Sequence, residues 1–237
     1  MSKPAPITAR IARKIPFSQK VFLFSSQLEN PQRIEFTSGQ FISVDVGGTR
    51  RSYSIASTPT EETYFDLLVD VAPGGAGSTF FMNKNVGDEF QGIGPMGNFK
   101  LANDDGVIVF LATGTGVAPF KSMIDTLLEK QVVTGDYQKR QIYLYFGFRF
   151  EEDIFWDDYF KECAARHSNF HYQLTLSKPT EKWQGCSGYI QTCMDKQVLH
   201  NPQTHFYVCG GAQMVKGVVM YLRDNKVAED KLHFEPF

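Results

Sequence analysis

The chain has 237 residues, 42% hydrophobic and 21% charged, with 24 basic against 26 acidic side chains and a net charge of −2. That length holds two domains of ordinary size, and the charge balance, with no basic stripe, argues against nucleic acid as a partner. No stretch approaches the roughly 18 apolar residues of a membrane span. The segment Met1 to Arg10 has no apolar core of signal-peptide length, so a cytoplasmic protein is expected.

Up to Lys100 the chain reads as short strands with turn punctuation. Strands are predicted at Ile7–Lys14, Val21–Gln27, Gln32–Phe36, Phe41–Val46, Arg51–Ala56, Tyr64–Val71 and Glu89–Ile93, with one short helix starting near Ser78. Breaks fall at Pro16, Asn30-Pro31, Ser38-Gly39, Gly47-Gly48, Pro59 and Pro73-Gly74-Gly75. Closely spaced strands with such turns predict an antiparallel barrel or sandwich.

Beyond Leu101-Ala-Asn-Asp-Asp-Gly106 the grammar changes. Strands at Val107–Ala112, Gln141–Gly147, Phe170–Leu176, His205–Cys209 and Leu232–Glu235 alternate with helical stretches at Ala118–Lys130, Glu151–Ala165, Tyr189–Leu199 and Gln213–Asp224. Alternation of this kind predicts βαβ units and a parallel sheet covered by helices. The expected boundary places one domain at 1–102 and a second at 103–237. Cys163, Cys186, Cys193 and Cys209 contain no C-x-x-C pair and no iron–sulfur spacing, which leaves reduced thiols as the simplest state and no fused ferredoxin domain. His167 and His171 lie four apart, but the second begins a strand, so no metal site is expected.

Several short runs carry chemistry. In Arg51-Ser52-Tyr53-Ser54, Arg51 and Tyr53 share one face of a strand while Ser52 and Ser54 share the other. A guanidinium can clamp phosphate, a phenol ring can lie on a planar heterocycle and a hydroxyl can bond a ring nitrogen. Pro73-Gly-Gly-Ala-Gly-Ser-Thr79 reads equally as an anion cradle or a plain glycine turn. The apolar strand from Val107 runs into Gly114-Thr-Gly-Val-Ala-Pro119, a phosphate-binding turn or a tight structural one. It departs from the Rossmann fingerprint: Pro119 takes the third glycine position, and Gly147-Phe148-Arg149 stands where an acidic residue is usual. In His205-Phe-Tyr-Val-Cys-Gly-Gly211, Cys209 falls at the C-terminal edge of a late strand, where open α/β sheets bind ligands.

These runs, in this order and with Gly94-Pro-Met-Gly-Asn-Phe99 between them, resemble the ferredoxin–NADP reductase family of flavoproteins over nearly the whole chain. The resemblance implies an N-terminal antiparallel Greek-key β-barrel that binds flavin and a C-terminal Rossmann-like α/β parallel-sheet domain that binds NAD(P). It puts Arg51 at the flavin phosphate, Tyr53 on the isoalloxazine and Ser54 near N5, with Ser52 beside them. Leu68, Val69 and Asp70, with Gly75, Ala76, Gly77 and Ser78, match the segments that hold ribityl and pyrophosphate, which favours FAD over FMN. Thr113, Gly114, Thr115 and Gly116 match the pyridine-nucleotide pyrophosphate turn, and Cys209 with Gly210 borders the nicotinamide. His233-Phe-Glu-Pro-Phe237 is similar to the family's C-terminus, which makes Glu235 and the flavin-covering Phe237 catalytic candidates with Ser54 and Cys209.

For the nucleotide's 2′-phosphate, the resemblance points to Ser177, Lys178, Tyr189 and Gln191, with Arg149 a further cation, and leaves NADPH and NADH open. The implied activity is hydride transfer from NAD(P)H to FAD, then electron delivery to a separate ferredoxin, flavodoxin or oxygenase. The alternatives are a reductase that treats free flavin as substrate and a non-catalytic nucleotide-binding redox subunit. A monomer is expected.

Overall fold

In the first strand, β1 (Ala5–Pro16), Ile7, Ala9 and Ile11 are buried while Arg10 and Ala12 face solvent. That period of two is what a half-buried pleated strand requires. The computed structural model describes residues 3–72, 74–134 and 140–237. Pro73, which opens the first glycine-rich run, lies outside them.

Two units emerge, one up to Lys100 together with Ala118–Thr126 and the other covering Leu101–Val117 and Leu127–Phe237. The first is a six-stranded antiparallel sheet adding β2 (Val21–Asn30), β3 (Phe41–Asp45), β4 (Arg50–Ser54), β5 (Tyr64–Asp70) and β6 (Glu89–Met96). Its order is β4-β3-β6-β1-β2-β5, and the bridge between Ile55 and Leu67 nearly closes it into a barrel. Ile11, Phe24, Ile42, Phe65, Leu67 and Phe81 are fully buried inside. The short helix α1 (Ala76–Met82) turns Gly77, Ser78 and Phe81 inward, so Phe81 meets the rings of Phe24 at 4.8 Å, Tyr53 at 5.0 Å and Phe90 at 5.8 Å.

The strand expected at Gln32–Phe36 does not form. Ile34 and Phe36 are buried and Arg33 and Glu35 exposed, which mimics strand alternation. The segment is instead irregular, with Ile34 N–H donating to Glu62 O at 2.8 Å.

The second unit is a parallel six-stranded sheet of β7 (Ile108–Thr113), β8 (Ile142–Phe148), β9 (Phe170–Leu176), β10 (Cys186–Ser187), β11 (His205–Gly210) and β12 (Leu232–Pro236), in the order β10-β9-β8-β7-β11-β12. Its helices are α2 (Ala118–Thr134), α3 (Asp157–Arg166), α4 (Lys196–Leu199) and α5 (Ala212–Asp224), with Ala118–Thr126 of α2 counted in the first unit. β7, β8 and β11 are near-continuous apolar runs, as strands buried on both faces must be. The helix expected from Glu151 begins six residues later. A single 3-10 turn at Glu151–Asp153 gives way to extended chain, where Phe155 packs on Phe146 and Phe148, and Trp156 then takes a left-handed conformation at φ 57°.

Among the described residues no helix is long and apolar enough to cross a membrane. His171 stacks on Tyr143 at 4.5 Å and lies 2.9 Å from Gln141 Oε1. The expectation of four reduced thiols is corrected for two of them, because Cys186 and Cys193 form a disulfide and leave Cys163 and Cys209 free. Gly188 at φ +113° and the 3-10 turn at Ile190–Cys193 fold the chain back until the two Cα atoms are 6.2 Å apart.

Candidate functional site

The end strands of the barrel, β4 and β5, create one candidate site. Among the described residues an isolated bridge joins Ile55, just past β4, to Leu67 of β5, with Ala56 N–H donating to Asp66 O at 2.9 Å. Counting on from that bridge sets Ser54 and Tyr53 alongside Leu68 and Val69, yet no ladder joins β4 to β5 among the described residues. The main chain at Leu68–Asp70 is thus paired with β2 on one side and open along a seam on the other. An unpaired strand edge of this kind offers N–H and C=O groups to a ligand.

Helix α1 starts at this seam. A Cβ added to Gly77 would run into Tyr53 Oη and lie 3.2 Å from Arg51 Cγ, so only glycine lets the helix start this close to both side chains. Gly75 caps the helix without a side-chain bond, which leaves the first-turn N–H groups uncapped. Ser78 Oγ donates to Asp70 O at 3.2 Å, so this hydroxyl ties α1 to the end of β5. Arg51 and Ser52 are exposed, while Tyr53 and Ser54 are half-buried. Burial pushes the Tyr53 phenol up to about 12 against the opposing Arg51 charge, and the ring stays neutral. A cation, an aromatic face and free backbone groups along one slot fit a flavin with a pyrophosphate tail.

A second candidate site lies at the C-terminal ends of the parallel strands. β7 runs into a 3-10 turn at Gly114–Val117, with Gly114 at φ +53° and Thr113, Gly114 and Thr115 half-exposed. A Cβ on Gly116 would strike the carbonyl of Cys209, and one on Gly210 would sit 2.6 Å from Thr113 Oγ1. These glycines let the turn and the end of β11 lie against each other. Cys209 pairs in register with Glu235 on β12, and Phe237 N–H donates to Gly210 O at 3.2 Å, leaving the Phe237 ring exposed. Burial, helped by the Glu235 carboxylate, drives the Cys209 thiol far above its usual range, and burial also raises Glu235. Cys209 is a neutral thiol here, not a thiolate.

Arg149 and Lys178 are exposed at the ends of neighbouring strands, where Lys178 N–H donates to Arg149 O at 2.9 Å and Ser177 N–H donates to Phe148 O at 3.0 Å. Glu151, two residues past Arg149, accepts from Thr180 N–H at 2.9 Å and Thr180 Oγ1 at 2.7 Å, bonds that hold its carboxyl below the usual range. Tyr189 is 69% exposed, and Gln191 is half-buried beside it. Between these residues and the glycine turn lies Ile190, buried where a Cβ on Gly147 would meet it.

Sequence reasoning did not single out Ile190, the Glu151–Thr180 clasp or the Cys186–Cys193 bond. The cysteine spacing around Gly188 was the one available signal.

Comparison with known proteins agrees with this geometry. Residues 8–101 match the model of the oxidoreductase FAD-binding domain, and residues 110–220 match that of the oxidoreductase NAD-binding domain. The chain is 31% identical over 226 residues to ferredoxin–NADP reductase B of Sorangium cellulosum, covering 91% of this chain and 90% of that protein. It is 29% identical over 212 residues to the anthranilate 1,2-dioxygenase electron transfer component of Acinetobacter baylyi, covering 88% of this chain but only 60% of that protein's length. The solved structure of the Amycolatopsis cytochrome P450 reductase GcoB superposes with a TM-score of 0.89 at 25% identity, over 100% of this chain and 71% of that one. The barrel seam, the glycine turn and these matches identify the chain as a member of the ferredoxin–NADP reductase family of flavoprotein oxidoreductases.

Proposed function

We propose that this protein is an NAD(P)H-dependent FAD oxidoreductase that passes electrons to a separate acceptor protein, such as a ferredoxin, a flavodoxin or an oxygenase. The observation that carries the reading is the barrel seam, where Gly77 brings an uncapped helix start against Arg51 and Tyr53. In this reading residues 1–102 hold the flavin and residues 103–237 hold the nucleotide. One chain carries both a flavin site and a nucleotide site, and we take it to act as a monomer.

FAD would supply the redox chemistry, taking a hydride and releasing electrons singly or in pairs. The chain's own residues bind and orient. Arg51 neutralises pyrophosphate charge with the first-turn N–H groups of Ala76, Gly77 and Ser78. Tyr53 lays its neutral ring against the isoalloxazine, and the open edge at Leu68, Val69 and Asp70 bonds the ribityl chain, with Ser52 nearby. Ser54 directs its hydroxyl to the reactive edge of the flavin. Thr113, Gly114, Thr115 and Gly116 hold the nucleotide pyrophosphate by main chain, while Cys209 and Gly210 border the nicotinamide. Glu235, its carboxyl raised by burial, can hold a proton near that ring. The exposed ring of Phe237 would be the aromatic that covers a bound flavin in the absence of nucleotide. Alignment and exclusion of water are the protein's contribution, and hydride transfer needs no general base.

Arg149 and Lys178, both exposed, put two cations at the strand ends beside Ser177, and the Glu151 carboxylate is engaged by Thr180. This arrangement favours the 2′-phosphate of NADPH over the ribose diol of NADH, with Tyr189 and Gln191 completing the adenosine end. Gel filtration tests the assignment of FAD as a resident group. The protein is expected to elute yellow and to release FAD on denaturation. A colourless protein that reduces added flavin would instead make flavin a diffusible substrate.

A further inference from the structure

The disulfide joins two residues that flank the proposed adenosine-binding tip. Cys186 lies on the two-residue strand β10, held to β9 by the pairs Cys186–Thr175 and Ser187–Leu176, with Trp183 Nε1 donating to Cys186 O at 3.1 Å. Gly188 N–H donates to Leu176 O at 2.8 Å, and the chain then turns. Tyr189 O accepts from Thr192 N–H at 2.9 Å and from Thr192 Oγ1 at 2.7 Å, both within the turn itself. Beyond Cys193 the chain is anchored again, because Met194 is buried and Asp195 N–H donates to Tyr145 Oη at 3.1 Å. Between the anchors, Ile190 is the buried side chain that pins the tip, while Tyr189 stands in solvent. Both cysteines are half-buried, within reach of a thiol reagent.

We propose that Cys186 and Cys193 form a reversible thiol–disulfide couple that sets nucleotide affinity by tightening or releasing the Tyr189–Gln191 tip. The proposal rests on the reading of that tip as part of the nucleotide site. Reduction takes two electrons and two protons from an external dithiol. A thiolate of the reductant attacks one sulfur to give a mixed disulfide, its second thiol displaces the cysteine, and the reductant leaves as its own disulfide while both cysteines become thiols. Oxidation runs the same exchange backwards from a disulfide oxidant. The closed form holds Tyr189 and Gln191 in place before nucleotide arrives, whereas the open form must order them on binding. Ordering one or two side chains costs about threefold to tenfold in affinity.

The test uses the full-length, flavin-loaded protein equilibrated in reduced or oxidised dithiothreitol. Denaturing alkylation counted by mass is expected to label two cysteines in the oxidised protein and all four in the reduced one. The KM for NADPH, read from the rate of anaerobic flavin bleaching at each NADPH concentration, is expected to rise by about threefold to tenfold on reduction, with the limiting rate held. The double variant Cys186→Ser/Cys193→Ser is expected to stay at the reduced value in both buffers. A KM unchanged between the two states of the wild type overturns the proposal, as does equal labelling in both buffers, and each leaves the functional reading standing. Failure of the oxidised protein to oxidise either nucleotide overturns the functional reading and, with it, the claim that the couple sets nucleotide affinity, whatever the labelling count.

Discussion

The two glycine-rich turns of this chain lead into helices and serve phosphate groups in the proposed reading, but they are built differently. At the barrel seam, Gly77 brings α1 against Arg51 and Tyr53, so a charged and an aromatic side chain share the slot with the backbone. In the parallel sheet, Gly116 brings the 3-10 turn against the main chain of Cys209, and the cations Arg149 and Lys178 stand at the ends of other strands. A side-chain clamp suits a group that stays, and a backbone cradle with its charges set apart suits one that comes and goes each turnover.

The largest effect should come from undermining the first cradle. Phe81→Ala removes the ring that fastens α1 to Phe24, Tyr53 and Phe90. It should cost about 3–5 kcal/mol of stability, read by denaturant unfolding, and release flavin at concentrations where the wild type retains it. Retained flavin in a folded Phe81→Ala protein would break the link between α1 and the clamp.

Gly116→Val tests the second cradle. Its side chain must displace the Cys209 carbonyl, and a shift of that kind should lower kcat/KM for nucleotide by about 100-fold while the flavin spectrum stays unchanged. Loss of flavin in this variant would show that the two cradles are not separate. Lys178→Ala is milder. It should raise the KM for NADPH about tenfold, the loss of one charge-assisted bond, and leave that for NADH nearly unchanged. Equal effects on both would remove Lys178 from the phosphate site.

The smallest contrast is in pH dependence. Burial, then His205 and Lys231, lower His233, which stacks on Tyr207 at 4.5 Å. The unfolded chain therefore takes up this proton more readily, and the parallel-sheet unit should lose stability as pH falls below the ordinary histidine range. In the barrel, burial raises Asp66 although Ser25 Oγ donates to it at 2.6 Å. That group contributes stability at low pH that is lost as pH rises through its raised value. Hydrogen exchange at neutral and mildly acidic pH should show β11 and β12 loosening on acidification while β2 and β5 do not. Loosening of both units alike would refute the contrast.

Much of the fold was legible because its signals are local. Turn residues at short intervals marked the barrel strands, and the alternation of strands with helical stretches marked the parallel sheet. The misses share a cause, since tertiary packing overrode local pattern at each. Ile34 and Phe36 fill the barrel core from an irregular segment, and Phe155 pulls the chain extended before α3 can start. The site was legible as residues but not as geometry. Nothing local reveals that Gly77 faces Tyr53, that Ser78 is occupied by Asp70, or that Cys186 reaches Cys193.

Anaerobic mixing of the yellow protein with NADPH, and separately with NADH, decides whether the chain carries hydride from nucleotide to flavin. The visible flavin absorbance is expected to bleach with either nucleotide at saturation, and at lower concentrations of NADPH than of NADH. A flavin that stays oxidised with both nucleotides would contradict this expectation.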